Sequence, residues 1–376
     1  MKYFDYAATT PLDNDAANVY VDVACKYFAN SNSLHDMGDN AGKILENCRE
    51  EWGKLLNVDK NGVYFTSGGT ESNFLIIQNL VLATKKQGKH IITTVAEHAS
   101  IHSTMQLLAV NGYEITYIPL MDNGIIDTQL LEQSIRPDTF LVSIQHVNSE
   151  IGAIQPIKEI GTICRKYNVL FHSDMVQSFG KVDVSEVTKF IDGISISGHK
   201  FYGPKGVGVA YINPQTAWIP FLPNGSHEKG FRSGTVNTAG IASMTVAAQK
   251  TCLKMADNLW ELSQLRALFK ETVNAESIKQ FECIEQYPGI IGLRVKGLEG
   301  QWLMLECNRR GFAISTGSAC QVGKHAPSKT MKALGLADGE AKEFIRISLG
   351  KDNSKEDIMD LAKLINELAK EYAKDC

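Results

Sequence analysis

The chain has 376 residues, enough for about two domains, and its 44% hydrophobic and 21% charged residues exclude a disordered or fibrous protein. Thirty-eight basic against 42 acidic residues give a net charge of −4, which disfavours a general nucleic-acid or anionic-membrane surface. No stretch approaches the roughly 18 apolar residues of a membrane span, and the start, MKYFDYAATTPLD, places Asp5 and threonines where a signal peptide needs an apolar segment, so a cytoplasmic protein is expected.

In chain order, the strand candidates are VYFT (63–66), HIITT (90–94), EITYIPL (114–120), FLVSIQH (140–146), VLFHSD (169–174), GISIS (193–197) and GVAYI (208–212). Several are apolar almost throughout, as parallel strands covered on both faces must be. Helical periodicity lies between them, after Thr70 and over 157–167, so this part reads as an α/β domain with a mostly parallel sheet. A long helical stretch over 238–274 follows. Mixed elements come next: IIGLRVKG (290–297), WLMLECNRRG (302–311), with Cys307 read as a structural thiol in an apolar strand, and EFIRISLG (343–350). The last segment predicts an amphipathic helix over 353–371, with Ile358, Leu361, Leu364, Ile365, Leu368 and Tyr372 on one stripe. Ser354 and Asp357 have the spacing of a capping box at its start.

The eight cysteines, at 25, 48, 164, 252, 283, 307, 320 and 376, include no CxxC pair, so neither a metal cage nor a disulfide scaffold is expected. Cys48 shares the apolar stripe of Ile44, Leu45 and Trp52 and reads as core.

Three segments carry chemistry. In FTSGGTESN (65–73) a strand runs into two glycines and a helix start, a turn that can either bind phosphate on free N–H groups or simply cap a helix. Neither GxGxxG nor GxxxxGK[ST] is present. VLFHSDMVQS ends an apolar strand on Asp174, where α/β folds place ligands, although a helix cap explains a lone Asp as well. ISISGHKFYGPKGVG puts Lys200 just past another apolar strand, where lost hydration lowers an amine's pKa and makes it nucleophilic; alone, it would read as a solvated loop lysine. Together they are the parts pyridoxal phosphate requires: a phosphate cradle, a lysine for the Schiff base, and a carboxylate to hold the pyridine nitrogen protonated.

Nearly the whole chain resembles the cysteine desulfurases, the NifS/IscS-like group of fold-type-I pyridoxal-phosphate enzymes. The resemblance rests on FDYAATTPLD (4–13), SGGTESN (67–73), AEHASI (96–101), NSEIGAIQPI (148–157), HSDMVQSFGK (172–181), SISGHKFYGPKG (195–206), FRSGTVN (231–237), STGSACQVG (315–323) and IRISLG (345–350), in that order. It implies an α/β fold with a large cofactor domain over 15–255, its mostly parallel sheet covered by helices. A smaller α+β domain from 1–14 and 256–376 would carry a catalytic cysteine loop. It also implies a homodimer.

By the same resemblance, Lys200 binds the cofactor and moves the substrate's Cα proton, Asp174 pairs with the pyridine nitrogen, and Gln177 reaches the ring hydroxyl. His98 stacks on the ring and assists proton transfer. Phosphate and ring contacts fall to Gly69, Thr70, Asn148, Ser149, Ser197, Gly198 and His199, with Thr235 supplied by the neighbouring subunit. Arg346 grips the substrate carboxylate, and Ser149 helps bind substrate; no metal is implied. Cys320, in the small polar segment STGSACQVGKHAP, would take sulfur from L-cysteine as a persulfide and release alanine. Its acceptor would be an iron–sulfur scaffold, a thiolation protein or a client apo-enzyme. Ser149 departs from the family pattern, which has a second asparagine here; the shorter side chain implies a looser or water-bridged contact with substrate. Selenocysteine lyase and a cofactor-bound sulfur-carrier or scaffold subunit are the alternative readings.

Overall fold

The structure, a computed structural model, describes residues 1–84, 89–317 and 327–375. A short strand, Lys2–Tyr3 (β1), precedes helices Asn14–Lys26 (α1) and Asp36–Leu56 (α2). Strand and helix then alternate through Val63–Thr66 (β2), Gly69–Ala83 (α3), His90–Thr94 (β3), Ala99–Val110 (α4), Glu114–Ile118 (β4), Thr128–Ser134 (α5), Thr139–Ser143 (β5), Ile157–Lys166 (α6) and Leu170–Asp174 (β6). Gly193–Ser197 (β7) and Gly208–Ile212 (β8) complete this series, and helices Thr238–Leu253 (α7) and Met255–Thr272 (α8) follow. The remainder comprises Ile278–Gln280 (β9), Ile290–Val295 (β10), Gly300–Arg309 (α9), Phe312–Ala313 (β11), Lys329–Ala333 (α10), Asp338–Lys342 (α11), Phe344–Ser348 (β12) and Lys355–Asp375 (α12).

Seven strands form one sheet in the order β2-β8-β7-β6-β5-β3-β4. Every neighbouring pair is parallel except those made by β8, which runs against both β2 and β7. Strands β2, β3, β5, β7 and β8 are buried along their whole length, which is why they read as continuous apolar runs. On one face Trp52 of α2 and Met244 of α7 join Phe179 and Phe201, with the Trp52 and Phe179 ring centroids 4.8 Å apart. On the other, Ile76 and Leu80 of α3 and Met105 of α4 pack over Ile91, Leu141 and Ile212. A separate cluster fills the space between the antiparallel β12-β10-β9 sheet and helices α8 and α12, and Ile358, Leu361, Ile365 and Leu368 lie in it as the stripe predicted. Ser354 and Asp357 exchange the reciprocal bonds of a capping box, each at 3.1 Å.

Several expectations are corrected. The helical stretch 238–274 is two helices broken at Lys254. EITYIPL is strand only to Ile118, and regular strand geometry in FLVSIQH stops at Ser143. Cys307 is fully buried but lies on α9, not a strand; Leu303 and Cys307, four residues apart, form the buried face of that helix, a period that the short apolar run disguised. Among the described residues no helix is long and apolar enough to cross a membrane.

One buried ion pair fixes the edge strand that leads to the glycine turn. Arg49 of α2 donates from both Nη atoms to Glu228, at 3.0 and 3.1 Å, and Glu228 Oε2 accepts the Phe65 N–H of β2 at 2.7 Å. Glu228 sits at φ 46°, in the left-handed region, held there by its buried partners. Removing it would leave the buried guanidinium with only Glu46, 3.0 Å from its Nε, as counter-charge and the Phe65 N–H without its acceptor, so Glu228→Ala should cost about 3 kcal/mol, the low end for a broken buried pair. Urea unfolding of the variant checks this.

Candidate active site

Because β2, β6 and β7 run the same way, Thr66, Asp174 and Ser197 end on one edge of the sheet, and β8 enters there at Gly208, opposite both Thr66 and Ser197. A Cβ at Gly208 would lie 2.6 Å from the Gly68 Cα, so only glycine lets the turn after β2 cross the strand at this height. Gly68, at φ 143°, is the N-cap of α3 and offers no side chain to it. The first N–H groups of that helix therefore remain available to an anion, with the helix dipole behind them. A cavity of about 410 Å³ opens on this edge, and Gly69, Thr70, His98, Asp174, Ser197, His199 and Lys200 all lie on its wall.

Asp174, 6% exposed, is held by the Val176 N–H at 2.9 Å and by Asn73 Nδ2 at 2.7 Å. Asn73 Nδ2 also donates to Ser100 Oγ at 3.0 Å, and Ser100 Oγ lies 2.8 Å from His98 Nδ1. Since the Ser100 backbone N–H also points at His98 Nδ1, at 3.2 Å, that nitrogen is the acceptor. The neutral ring then carries its proton on Nε2. A directed chain thus runs from the strand-end carboxylate's partner to the imidazole.

Lys200 Nζ donates to the carbonyls of Ala7 and Ala8, at 2.8 and 2.7 Å. Gln177 Nε2 donates to the same Ala7 carbonyl at 2.8 Å. Burial, reinforced by Lys200 and Lys205, pushes His199 down to about 4, so it is neutral at pH 7, with Nδ1 3.1 Å from Thr9 Oγ1. A second cavity, of about 150 Å³, shares His98, Ser149, Gln177 and Lys200 with the first and adds Glu97, Glu150, Lys329 and Arg346. Arg346, nearly fully buried, donates to Asp5 at 2.7 Å and to the Ser149 carbonyl at 3.0 Å. Its Nε is buried with no partner among the described residues. The fork expected to be open for a carboxylate is thus already tied in part by Asp5.

Three of the expected residues lie elsewhere. Asn148 is fully buried and not on either cavity wall. Its Oδ1 accepts the N–H groups of Glu150 and Ile151, and its Nδ2 donates to Thr330, so the side chain is spent on holding the turn that presents Ser149. Gly198 is buried behind the first cavity, where a Cβ would press on Met244 and the Pro204 carbonyl at 3.1 Å. Thr235 is exposed and away from both cavities of its own chain. Cys320 lies outside the described residues.

Sequence reasoning missed Asn73, Ser100 and Glu97. A signal for the first existed: Asn73, four residues after Gly69, closes the polar opening GTESN and lies on the turn above the glycine pair. Glu97 is buried, with Oε1 accepting Thr94 Oγ1 and the Gln145 N–H, each at 2.9 Å, and Oε2 without a partner among the described residues. Burial, with the Asp174 carboxylate adding to it, pushes its carboxyl up to about 8.

The sheet, the strand-end Asp and the strand-end Lys define a class. Residues 2–361 match the aminotransferase class-V family, and the chain belongs to it. More particularly, the putative cysteine desulfurase NifS of Bacillus subtilis is 44% identical over 369 residues, spanning 96% of this chain and 93% of that protein. The cysteine desulfurase IscS of Clostridium botulinum is 36% identical over 374 residues, 98% of this chain and 94% of its own. Among solved structures, a NifS-like protein superposes with a TM-score of 0.91 at 31% identity, covering 98% of this chain and 99% of that one. SspA in complex with cysteine gives 0.82 at 32% identity, over 93% and 99%. The class-V aminotransferases and cysteine desulfurases are pyridoxal-phosphate-dependent.

Glu97 gives a pH prediction. The folded chain retains a proton that the unfolded chain releases between the ordinary 4.5 and about 8. This group's contribution to stability is therefore full below pH 4.5 and is lost as pH rises through that window. Glu97→Gln should gain stability over wild type by on the order of 1 kcal/mol per pH unit from pH 5 to 8. Denaturant midpoints of the two proteins measured across that range test it.

Proposed function

We propose that the protein is a pyridoxal-phosphate-dependent cysteine desulfurase. It converts L-cysteine to L-alanine, with the sulfur passing to Cys320 as a persulfide and then to an acceptor protein. The observation that carries this reading is the wall of the first cavity. It sets the Lys200 amine, the Asp174 carboxylate and an uncapped helix N-terminus together, in a chain 44% identical to a protein named as a cysteine desulfurase.

The donor set fits the cofactor. The N–H groups of Gly69 and Thr70, with Ser197 and His199, suit its phosphate. Asp174, whose remaining acceptor capacity faces a cavity with few other anions, suits a protonated pyridine nitrogen. Gln177 has one Nε2 hydrogen left for the ring oxygen, and the exposed His98 ring suits stacking. Bound there, pyridoxal phosphate supplies an electron sink for the bonding pair released at the substrate Cα.

The other work falls to this chain's side chains. Lys200 would carry the cofactor covalently in the resting enzyme and, once its amine is released, would take up the Cα proton; the Ala7 and Ala8 carbonyls hold it at the junction of the two cavities. Arg346 receives the substrate carboxylate at the second cavity, sharing its fork with Asp5. Ser149 lines both cavities, and its carbonyl rather than an asparagine amide braces Arg346. His98, whose Nδ1 accepts from Ser100, offers its Nε2–H to the substrate sulfur as a hydrogen-bond donor. Gly317 and Lys329, on either side of the segment that carries Cys320, lie on the second cavity wall, which supports sulfur attack from that side. Cys320 takes the sulfur atom and the departing amino acid takes a proton, so L-cysteine leaves as alanine. A cytoplasmic setting keeps such a thiol reduced.

In this reading residues 15–255 form the cofactor domain, and residues 1–14 with 256–376 the domain that bears Cys320; the two largest apolar clusters, each drawn mainly from one region, support the division. The enzyme acts as a homodimer in which each chain lends Thr235 to its partner's phosphate site. The acceptor is an iron–sulfur scaffold, a thiolation protein or a client apo-enzyme.

Cys320→Ala should bind cofactor and L-cysteine with unchanged spectra yet release almost no alanine, whereas Lys200→Ala should lose the covalent cofactor. Alanine release and borohydride reduction followed by peptide mapping decide both; a pyridoxyl label on Lys205 would reject the assignment. Thr235→Ala should weaken cofactor binding roughly 2- to 12-fold, the loss of one neutral hydrogen bond. Cofactor titration at several protein concentrations should show that loss coupled to dimer dissociation.

A further inference from the structure

Lys181 stands behind the site with no role in the reaction proposed above. It follows Gly180, which turns the chain after β6 at φ 71°. It reaches a narrow cavity of about 50 Å³ between the two sheets, walled also by Lys200, Tyr6, Tyr202 and Tyr287. Its Nζ lies 5.8 Å from the Tyr287 ring centroid and donates to Gln177 Oε1. No carboxylate pairs with it among the described residues; its charged neighbours are Lys200 and Arg346. Burial, with those two cations, holds its ammonium well below the usual lysine range. An amine placed this deep without a counter-ion is unfavourable unless its N–H serves a purpose, and the neutral form still donates.

The partner of that N–H decides what the purpose is. The Gln177 amide is gripped at both ends: Nε2 donates to the Ala7 carbonyl at 2.8 Å, and Oε1 accepts from Lys181. The Ala7 carbonyl can only accept, so rotating the amide by 180° would set Oε1 against the Ala7 oxygen and forfeit that bond, and Oε1 would lose the N–H that Lys181 now gives it. The amide orientation is therefore determined by its surroundings. One Nε2 hydrogen is left over, on a residue that lines the cavity of Asp174 and Lys200.

We propose that Lys181 is a positioning residue of the cofactor site: by donating to Gln177 Oε1 it holds the Gln177 amide with its second N–H presented to the ring oxygen of pyridoxal phosphate. This rests on the cofactor assignment above.

The test uses the full chain stripped of cofactor and titrated with pyridoxal phosphate, following affinity and the absorption spectrum of the bound form. Wild type should bind; if it does not, the cofactor assignment itself fails, whatever Lys181 does. Lys181→Met and Lys181→Ala should each bind about 2- to 12-fold more weakly, the range for one lost hydrogen bond. Their bound absorption maximum should also be displaced. Lys181→Arg, which keeps an N–H donor, should restore the wild-type spectrum. In a Gln177→Ala background, Lys181→Met should cause no further loss, because its effect acts through the amide. The double variant decides even where the single variants unfold at lower temperature. Wild-type affinity and spectrum in Lys181→Met, or losses that simply add in the double variant, overturn the proposal.

Discussion

The Asp174 carboxylate is the constraint around which the rest is arranged. It ends β6 almost wholly out of solvent, where an ionised oxygen is tolerated only if donors are brought to it. One donor, the Val176 N–H, comes from its own chain two residues on. The other, Asn73, comes from the first turns of α3, and that fixes where α3 must begin. The helix can begin there only if the chain leaves β2 and turns at once, across Gly208 and over Gly68. One hydrogen bond thereby sets the position of a carboxylate relative to a helix N-terminus, the two groups that would hold opposite ends of the same ligand.

The N-terminal residues supply the opposite wall. The Ala7 and Ala8 carbonyls take Lys200, the Ala7 carbonyl also takes Gln177, and Asp5 takes Arg346. Thr9 and Thr10 hold His199 and the turn after it. This strap is anchored outside the site: β1 pairs with β11, Phe4 is fully buried, and Ser348 of β12 donates its N–H to the Phe4 carbonyl. Since Arg346 lies on β12 and Lys200 beyond β7, the strap ties side chains of two different sheets to one stretch of backbone. A shift of either sheet would move the amine and the guanidinium relative to each other.

The α/β architecture was legible because parallel strands buried on both faces cannot disguise their apolar runs, and GISIS and HIITT match their strands to the residue. The strand-end placement of Asp174 and Lys200 was legible for the same reason. What stayed hidden depends on pairings distant in sequence. Nothing in the sequence around Arg49 announces Glu228, 179 positions on, and nothing near Ala7 shows that its carbonyl receives both Gln177 and Lys200. Asn148 misled because a motif match does not say which of two adjacent polar residues faces the cavity. The turn geometry decides, and it turns Asn148 inward and leaves Ser149 on the wall. Cys307 misled because the short apolar run that opens WLMLECNRRG fits either period until its buried pair is known.

Electrostatics unites these details. The chain as a whole is slightly acidic, at −4, yet Lys200, Lys205, Lys329 and Arg346 gather on the two cavity walls. The carboxylates in the same space are already engaged. Glu71 binds Arg232 and the Ser67 N–H, Asp174 binds Asn73, Glu150 accepts from Ser328, and Glu97 keeps its proton at neutral pH because ionising it beside Asp174 in a buried setting is unfavourable. A cleft with surplus positive charge and low-dielectric walls concentrates anions. A ligand bearing a phosphate and a substrate bearing a carboxylate would supply that missing negative charge, the first at the cavity of Asp174 and the second at that of Arg346. Protonated Glu97 is then part of the same balance, since a further anion there would compete with the substrate carboxylate for Arg346.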